Sequence, residues 1–94
     1  MTEPTRTEDD LDSRRRRARF RAWHRGMRET DLILGAFADR EIATLDGGDL
    51  ERFEALLHEA DAEILDWIAG RRPVPDHVRS PLFARIAASA NAAA

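Results

Sequence analysis

No cysteine occurs in these 94 residues, which excludes disulfides, thiol catalysis and cysteine-based zinc sites by composition. Lysine is missing too, so all 15 cations are arginines. No apolar run approaches the roughly 18 residues of a membrane span, and the first dozen residues lack the basic start and hydrophobic middle of a secretory signal. That start is acidic, with Glu3, Glu8, Asp9, Asp10 and Asp12, which argues against a mitochondrial presequence and fits a bacterial-type cytoplasmic protein. His24, His58 and His77 are isolated, and no two share the spacing that places a metal-ligand pair on one helix face. A glycine-rich G-x-G-x-x-G turn is absent, and so is any sustained alternation of the kind a half-buried strand needs.

What is present reads as helix. Ser13 is a plausible cap for a segment to Arg25 in which Phe20, Trp23 and Met27 form a narrow apolar stripe. From Arg28 to about Ile42 a stronger pattern follows, with Ile33 and Phe37 on one side, Leu32 and Ala36 beside them and Leu34 broadening the face. Asp46 caps a third helix carrying Leu50, Phe53, Leu56 and Leu57. Asp61 caps a short fourth helix with Ile64, Leu65, Trp67 and Ile68, and Gly70 closes it before Pro73 and Pro75. Ser80-Pro81 starts a last helix with Leu82, Phe83 and Ile86.

The expectation is an all-α chain: a compact five-helix bundle forming a single small domain over residues 13–87, between a disordered acidic tail at 1–12 and a frayed alanine-rich tail at 88–94. A core of that size leaves little room for an enclosed substrate pocket, so surface binding is favoured over autonomous catalysis.

The net charge of −3 conceals a partition. Residues 1–12 carry −4, residues 13–28 carry +8 with no acid, and residues 29–94 carry −7. The basic block admits nucleic acid, a membrane surface or an acidic protein rim as its target. Repulsion of a long polyanion by the acidic remainder argues against nucleic acid, the narrow apolar stripe argues against a membrane, and interleaved arginines and aromatics suit a protein contact. At the end of this block, Arg25-Gly26-Met27-Arg28-Glu29 reads as a helix corner. Gly26 can take positive φ, Arg25 suits the carbonyl end of one helix and Glu29 the amide end of the next, so the corner is expected to display its charges outward.

The five residues, with Phe20, Trp23-His24, Asp31-Leu32, Leu34-Gly35, Phe37-Ala38-Asp39, Phe53-Glu54, Leu56-Leu57, Asp61, Leu65, Asp66-Trp67-Ile68, Gly70 and Pro73, resemble the succinate dehydrogenase assembly factor 2 family, called SdhE in bacteria. The chain departs from that pattern at Gly47 and Gly48, where the family usually has charged residues, and at Ala60, where proline is common. The resemblance implies a five-helix bundle that binds the flavoprotein subunit of succinate dehydrogenase, with that of fumarate reductase as a second candidate client. It further implies that this binding promotes covalent attachment of FAD to a histidine of the partner. Nucleophile and flavin site then both belong to the partner. The chain itself is expected to be no enzyme, to hold no cofactor stably and to have no catalytic, cofactor or metal residues. Arg25, Gly26, Arg28, Glu29 and Asp31 are the partner-binding residues that the resemblance implies. The alternative is a nucleic-acid-binding or antitoxin-type regulator using the arginine-rich first helix.

Overall fold

The structure, a computed structural model, describes residues 4–93, with side chains from residue 10 to residue 92. Five α-helices are present among the described residues: α1 (Pro4–Trp23), α2 (Arg28–Glu41), α3 (Gly47–Leu56), α4 (Asp61–Ala69) and α5 (Pro81–Ala93), with a 3-10 turn at Ile42–Thr44. The fold is the all-α bundle that the spacing of apolar residues predicts.

Two ends differ from the sequence reading. Helix α1 begins at Pro4, so most of the segment read as an acidic tail is helical, and Ser13 lies inside the helix, where its hydroxyl accepts a hydrogen bond from Arg16 (3.2 Å). Proline is tolerated in a first helical turn because its missing N–H has no partner there anyway. Helix α5 likewise continues through the alanines to Ala93, consistent with alanine's having the highest helix propensity. Residues 1–3 and 94 lie outside the described residues.

The turn chemistry follows local rules. Asp46 accepts the Asp49 N–H at 2.8 Å to cap α3, and the Ser80 hydroxyl accepts that of Phe83 at 3.0 Å to cap α5 behind Pro81. Gly70 takes φ +78°, ending α4, and the Arg71 N–H turns back to the Asp66 carbonyl at 2.9 Å. Helix α4 is capped by the backbone of Ala60 rather than by the side chain of Asp61, which is its first residue.

Leu34, Phe37, Leu45, Leu50, Phe53, Ile64 and Ile86 form the centre of the core. The Phe37 and Phe53 rings lie 6.0 Å apart between α2 and α3, and Trp67 meets Phe83 edge-on at 6.5 Å between α4 and α5. Helix α1 seats through Ala18 and Ala22, both fully buried, and not through Phe20, which is 63% exposed. Small residues allow the helix to approach closely. Trp23 lies flat over Gly35 of α2, so near that a Cβ there would stand 2.2 Å from the indole. On α2 the buried positions are Thr30, Leu34, Gly35, Phe37 and Ala38, while Leu32, read as a core neighbour, is 49% exposed.

Candidate partner-binding corner

Gly26 sits at φ +99° between α1 and α2, with open space where a side chain would be. Positive φ is the conformation glycine adopts without penalty, and it is what lets the chain reverse here. Met27 is extended and precedes α2, whose first turn is tied down by two bonds to the Met27 carbonyl. One comes from the Asp31 N–H (2.9 Å), the other from the hydroxyl of fully buried Thr30 (3.0 Å). Glu29 and Asp31 lie in the first turn of α2, where carboxylates complement the positive end of the helix dipole.

The signature divides into residues that face in and residues that face out. Asp31 Oδ1 accepts the Arg25 backbone N–H at 2.8 Å, which pins the corner from within. The Arg25 side chain, only 10% exposed, runs across to the junction of α3 and α4. Its Nε donates to Asp61 Oδ1 at 2.5 Å, Nη1 to the Leu57 carbonyl at 2.7 Å and Nη2 to the Glu59 carbonyl at 2.6 Å. A cation at the carbonyl end of α3 and an anion at the amide end of α4 are each favoured by the local dipole, and the guanidinium satisfies both at once. The expectation that Arg25 is displayed outward is therefore corrected: Arg25 and Asp31 hold the corner together. Gly26, Arg28 and Glu29 are exposed, beside Leu32 and His24.

Side chains of the basic segment sort in the same way. Arg14 grips Glu54 of α3 through two bonds (3.1 and 2.8 Å), and this contact holds the Glu54 carboxyl below its usual range while raising the already high pKa of Arg14. Arg15 donates to the Leu45 carbonyl at 2.8 Å and to Asp12 at 3.1 Å. Asp39 of α2 accepts the Trp23 indole N–H at 3.2 Å and Arg19 Nε at 2.6 Å on the same oxygen; both bonds hold its carboxyl below the usual range. Of the eight arginines in residues 13–28, Arg14, Arg15, Arg19 and Arg25 are thus engaged within the fold, which removes much of the basis for reading the block as a free polycation.

Chemistry elsewhere is sparse. A pocket of about 260 Å³ between α3, the 71–80 connector and α5 is floored by Leu56, Leu82, Phe83 and Ile86, with His77 and Glu59 paired at 3.1 Å on its rim. Ser80 and His77 both line it, but the Ser80 hydroxyl accepts the Phe83 N–H and no hydrogen bond joins it to His77 among the described residues. Among the described residues no three His, Asp or Glu side chains converge as a metal site.

Sequence reasoning missed the inward role of Arg25 because its partners lie 32 to 36 positions away. One signal was available: the turn 57–60 has no glycine and offers bare carbonyls at a helix end, which need a donor. Gly35 and Asp39 carry the family resemblance but were given no structural role, though a glycine and a carboxylate four apart on one helix face suit an indole lying across them.

A sequence family described as flavinator of succinate dehydrogenase matches residues 16–90. The FAD assembly factor SdhE of Acetobacter pasteurianus is 40% identical over 79 residues, which are 84% of this chain and 72% of that protein. A protein of Mycosarcoma maydis named succinate dehydrogenase assembly factor 2, mitochondrial, is 35% identical over 75 residues, covering 80% of this chain and 32% of its own length. The protein of the same name from Schizosaccharomyces japonicus is 40% identical over 63 residues, or 67% of this chain and 44% of its own. The chain therefore spans less than half the length of these mitochondrial relatives.

Proposed function

The chain belongs to the family of flavinators of succinate dehydrogenase, and from that premise we propose that it binds the flavoprotein subunit of that enzyme and promotes covalent attachment of FAD to one of its histidines. The observation that carries this reading is the corner itself, a small exposed patch of Gly26, Arg28, Glu29 and Leu32 held rigid from behind by the Arg25 brace. A rigid patch recognises a partner without an ordering cost at the moment of binding. Arg28 and Glu29 make the contact, and the bare backbone at Gly26 lets the partner approach closely. Arg25 and Asp31 act through the shape they impose.

Histidine and flavin both belong to the partner. The residues of this chain do not fit an FAD of their own: the pocket of about 260 Å³ is below the usual size of a small-molecule site and has no glycine-rich phosphate cradle. Binding selects the conformation of the subunit in which its histidine reaches the flavin, so the free energy of association favours attachment although no reacting atom comes from this chain. In this reading the chain is an assembly factor and not a catalyst. Its place is the bacterial-type cytoplasm, and the fumarate reductase flavoprotein subunit is a second client.

The test is co-expression of the succinate dehydrogenase flavoprotein subunit with and without this chain, followed by flavin fluorescence of the denatured subunit in a gel. A fluorescent band that depends on the chain is expected. Bands of equal intensity in both lanes overturn the proposal.

A further inference from the structure

The exposed part of the signature is too small to serve as an interface alone. Gly26, Arg28, Glu29 and Leu32 are four residues, whereas a stable protein contact takes roughly 20 to 30 on each side. The contact must therefore continue onto a neighbouring surface.

Helix α1 offers one. At about 100° per residue, Ala18 and Ala22 define its buried face, while Arg14 and Arg19 leave its two flanks to pair with α3 and α2. Away from the buried face, within an arc of about 140° that runs from Arg16, Phe20 and His24 opposite it through Arg17 to Arg21 beside the α3 flank, all five side chains are exposed. No carboxylate occurs from Arg16 to His24, and Asp10 is the nearest described acid on the same azimuth. Among the described residues Arg16 bonds to Ser13, while Arg17 and Arg21 make no hydrogen bond and reach Glu54 of α3 only through their charge, which helps hold its carboxyl below the usual range after the larger effect of Arg14. In their midst is Phe20, the more exposed of the two large hydrophobic side chains left open to solvent among the described residues. It stacks on His24 with ring centroids 4.0 Å apart and an interplanar angle of 18°. The imidazole Nδ1 is bound to the Phe20 carbonyl at 2.7 Å, so the two rings are held as one flat step leading to the Gly26 corner.

We propose that this outer face of α1, with Phe20 stacked on His24 and flanked by Arg16, Arg17 and Arg21, is a second contact surface that docks on an acidic, apolar-notched patch of the flavoprotein subunit. It rests on the flavoprotein-binding reading and extends it. An aromatic anchor ringed by arginines is the residue combination that concentrates binding energy in protein interfaces, and arginine forks match carboxylates in pairs. The occupant is a folded protein and not a polyanion, because Arg14, Arg15 and Arg19 on the same helix are already neutralised by the fold.

The test measures the affinity of the full chain for the purified flavoprotein subunit at low and at high salt. Two variants are compared with wild type, Arg17→Glu with Arg21→Glu, and Phe20→Ala, and circular dichroism melts check folding. Both variants touch only exposed side chains and should melt like wild type; Arg17→Gln with Arg21→Gln replaces the charge reversal if that one misfolds. We expect the charge variant to bind at least about tenfold more weakly at low salt, with the gap narrowing at high salt, and Phe20→Ala to lose about tenfold at both. Wild-type binding with undiminished variants overturns this inference alone. A wild type that does not bind the subunit overturns the reading beneath it as well. Retention of a mixed-sequence RNA through these arginines, while the variants still bind the subunit normally, overturns the protein occupant.

Discussion

Arg25 and Glu29 stand four positions apart in the same corner and do opposite work. Arg25 is turned inward, 10% exposed, and closes three hydrogen bonds to the α3–α4 junction, whereas the Glu29 side chain lies on the surface with no hydrogen bond or ion pair among the described residues. A recognition motif can therefore be half scaffold and half display, and loss of function at the two halves should have different physical signatures.

The sharpest way to break that distinction is to delete the brace. Arg25→Ala leaves two carbonyls and the part-buried Asp61 carboxylate without their donor, and a loss of about 2–4 kcal/mol is expected in urea unfolding. In a domain of this size that is a large share of total stability. A change below about 0.5 kcal/mol would show the guanidinium to be dispensable to the fold.

Glycine substitutions come next and separate contact from conformation. At Gly35 an added Cβ meets the Trp23 indole at 2.2 Å, so Gly35→Ala must displace the ring and its bond to Asp39, at about 1–3 kcal/mol. At Gly26 nothing stands in the way, and Gly26→Ala costs only the positive φ, about 1 kcal/mol. Equal losses at the two positions would remove the claim that α1 seats on α2 through that contact.

Acid titration addresses the flanks of α1. Asp39, bonded to Trp23 and Arg19, and Glu54, bonded to Arg14, have folded-state pKa values below their unfolded ones. Their stabilisation is complete above the ordinary carboxylate range near pH 4 and is lost as pH falls through the depressed folded values. Stability should accordingly decline on acidification below about pH 5, and Asp39→Asn should make that decline shallower. An unchanged slope would mean that these bonds do not hold in solution.

The fold was largely legible in the sequence because its punctuation is local. Asp46, Ser80-Pro81, Gly26 and Gly70 each act on their immediate neighbours, and each is where local chemistry places it. Facing was harder. Phe20 and Leu32 are apolar and sit at helical spacing, yet Ala18 and Ala22 take the buried face of α1, because close approach to α2 requires small side chains that a hydrophobic pattern underweights. The caps at Ser13 and Asp61 were misjudged for related reasons. An upstream helix absorbed the first, and a partner 36 residues away claimed the second. Of the candidate site, Gly26, Arg28 and Glu29 stand exposed as the corner chemistry suggests, while Asp31 turns back across the corner to the Arg25 N–H and the inward turn of the Arg25 side chain depends on partners 32 to 36 positions away.

The smallest expected effect on the fold belongs to Glu29, and it gives the most direct test of the account. Glu29→Ala should leave the melting temperature within about 2 °C of wild type, and the variant is then co-expressed with the succinate dehydrogenase flavoprotein subunit. Display without scaffolding predicts a subunit with most of its covalent flavin fluorescence gone. A subunit flavinylated to the wild-type level beside an equally stable Glu29→Ala chain would contradict it.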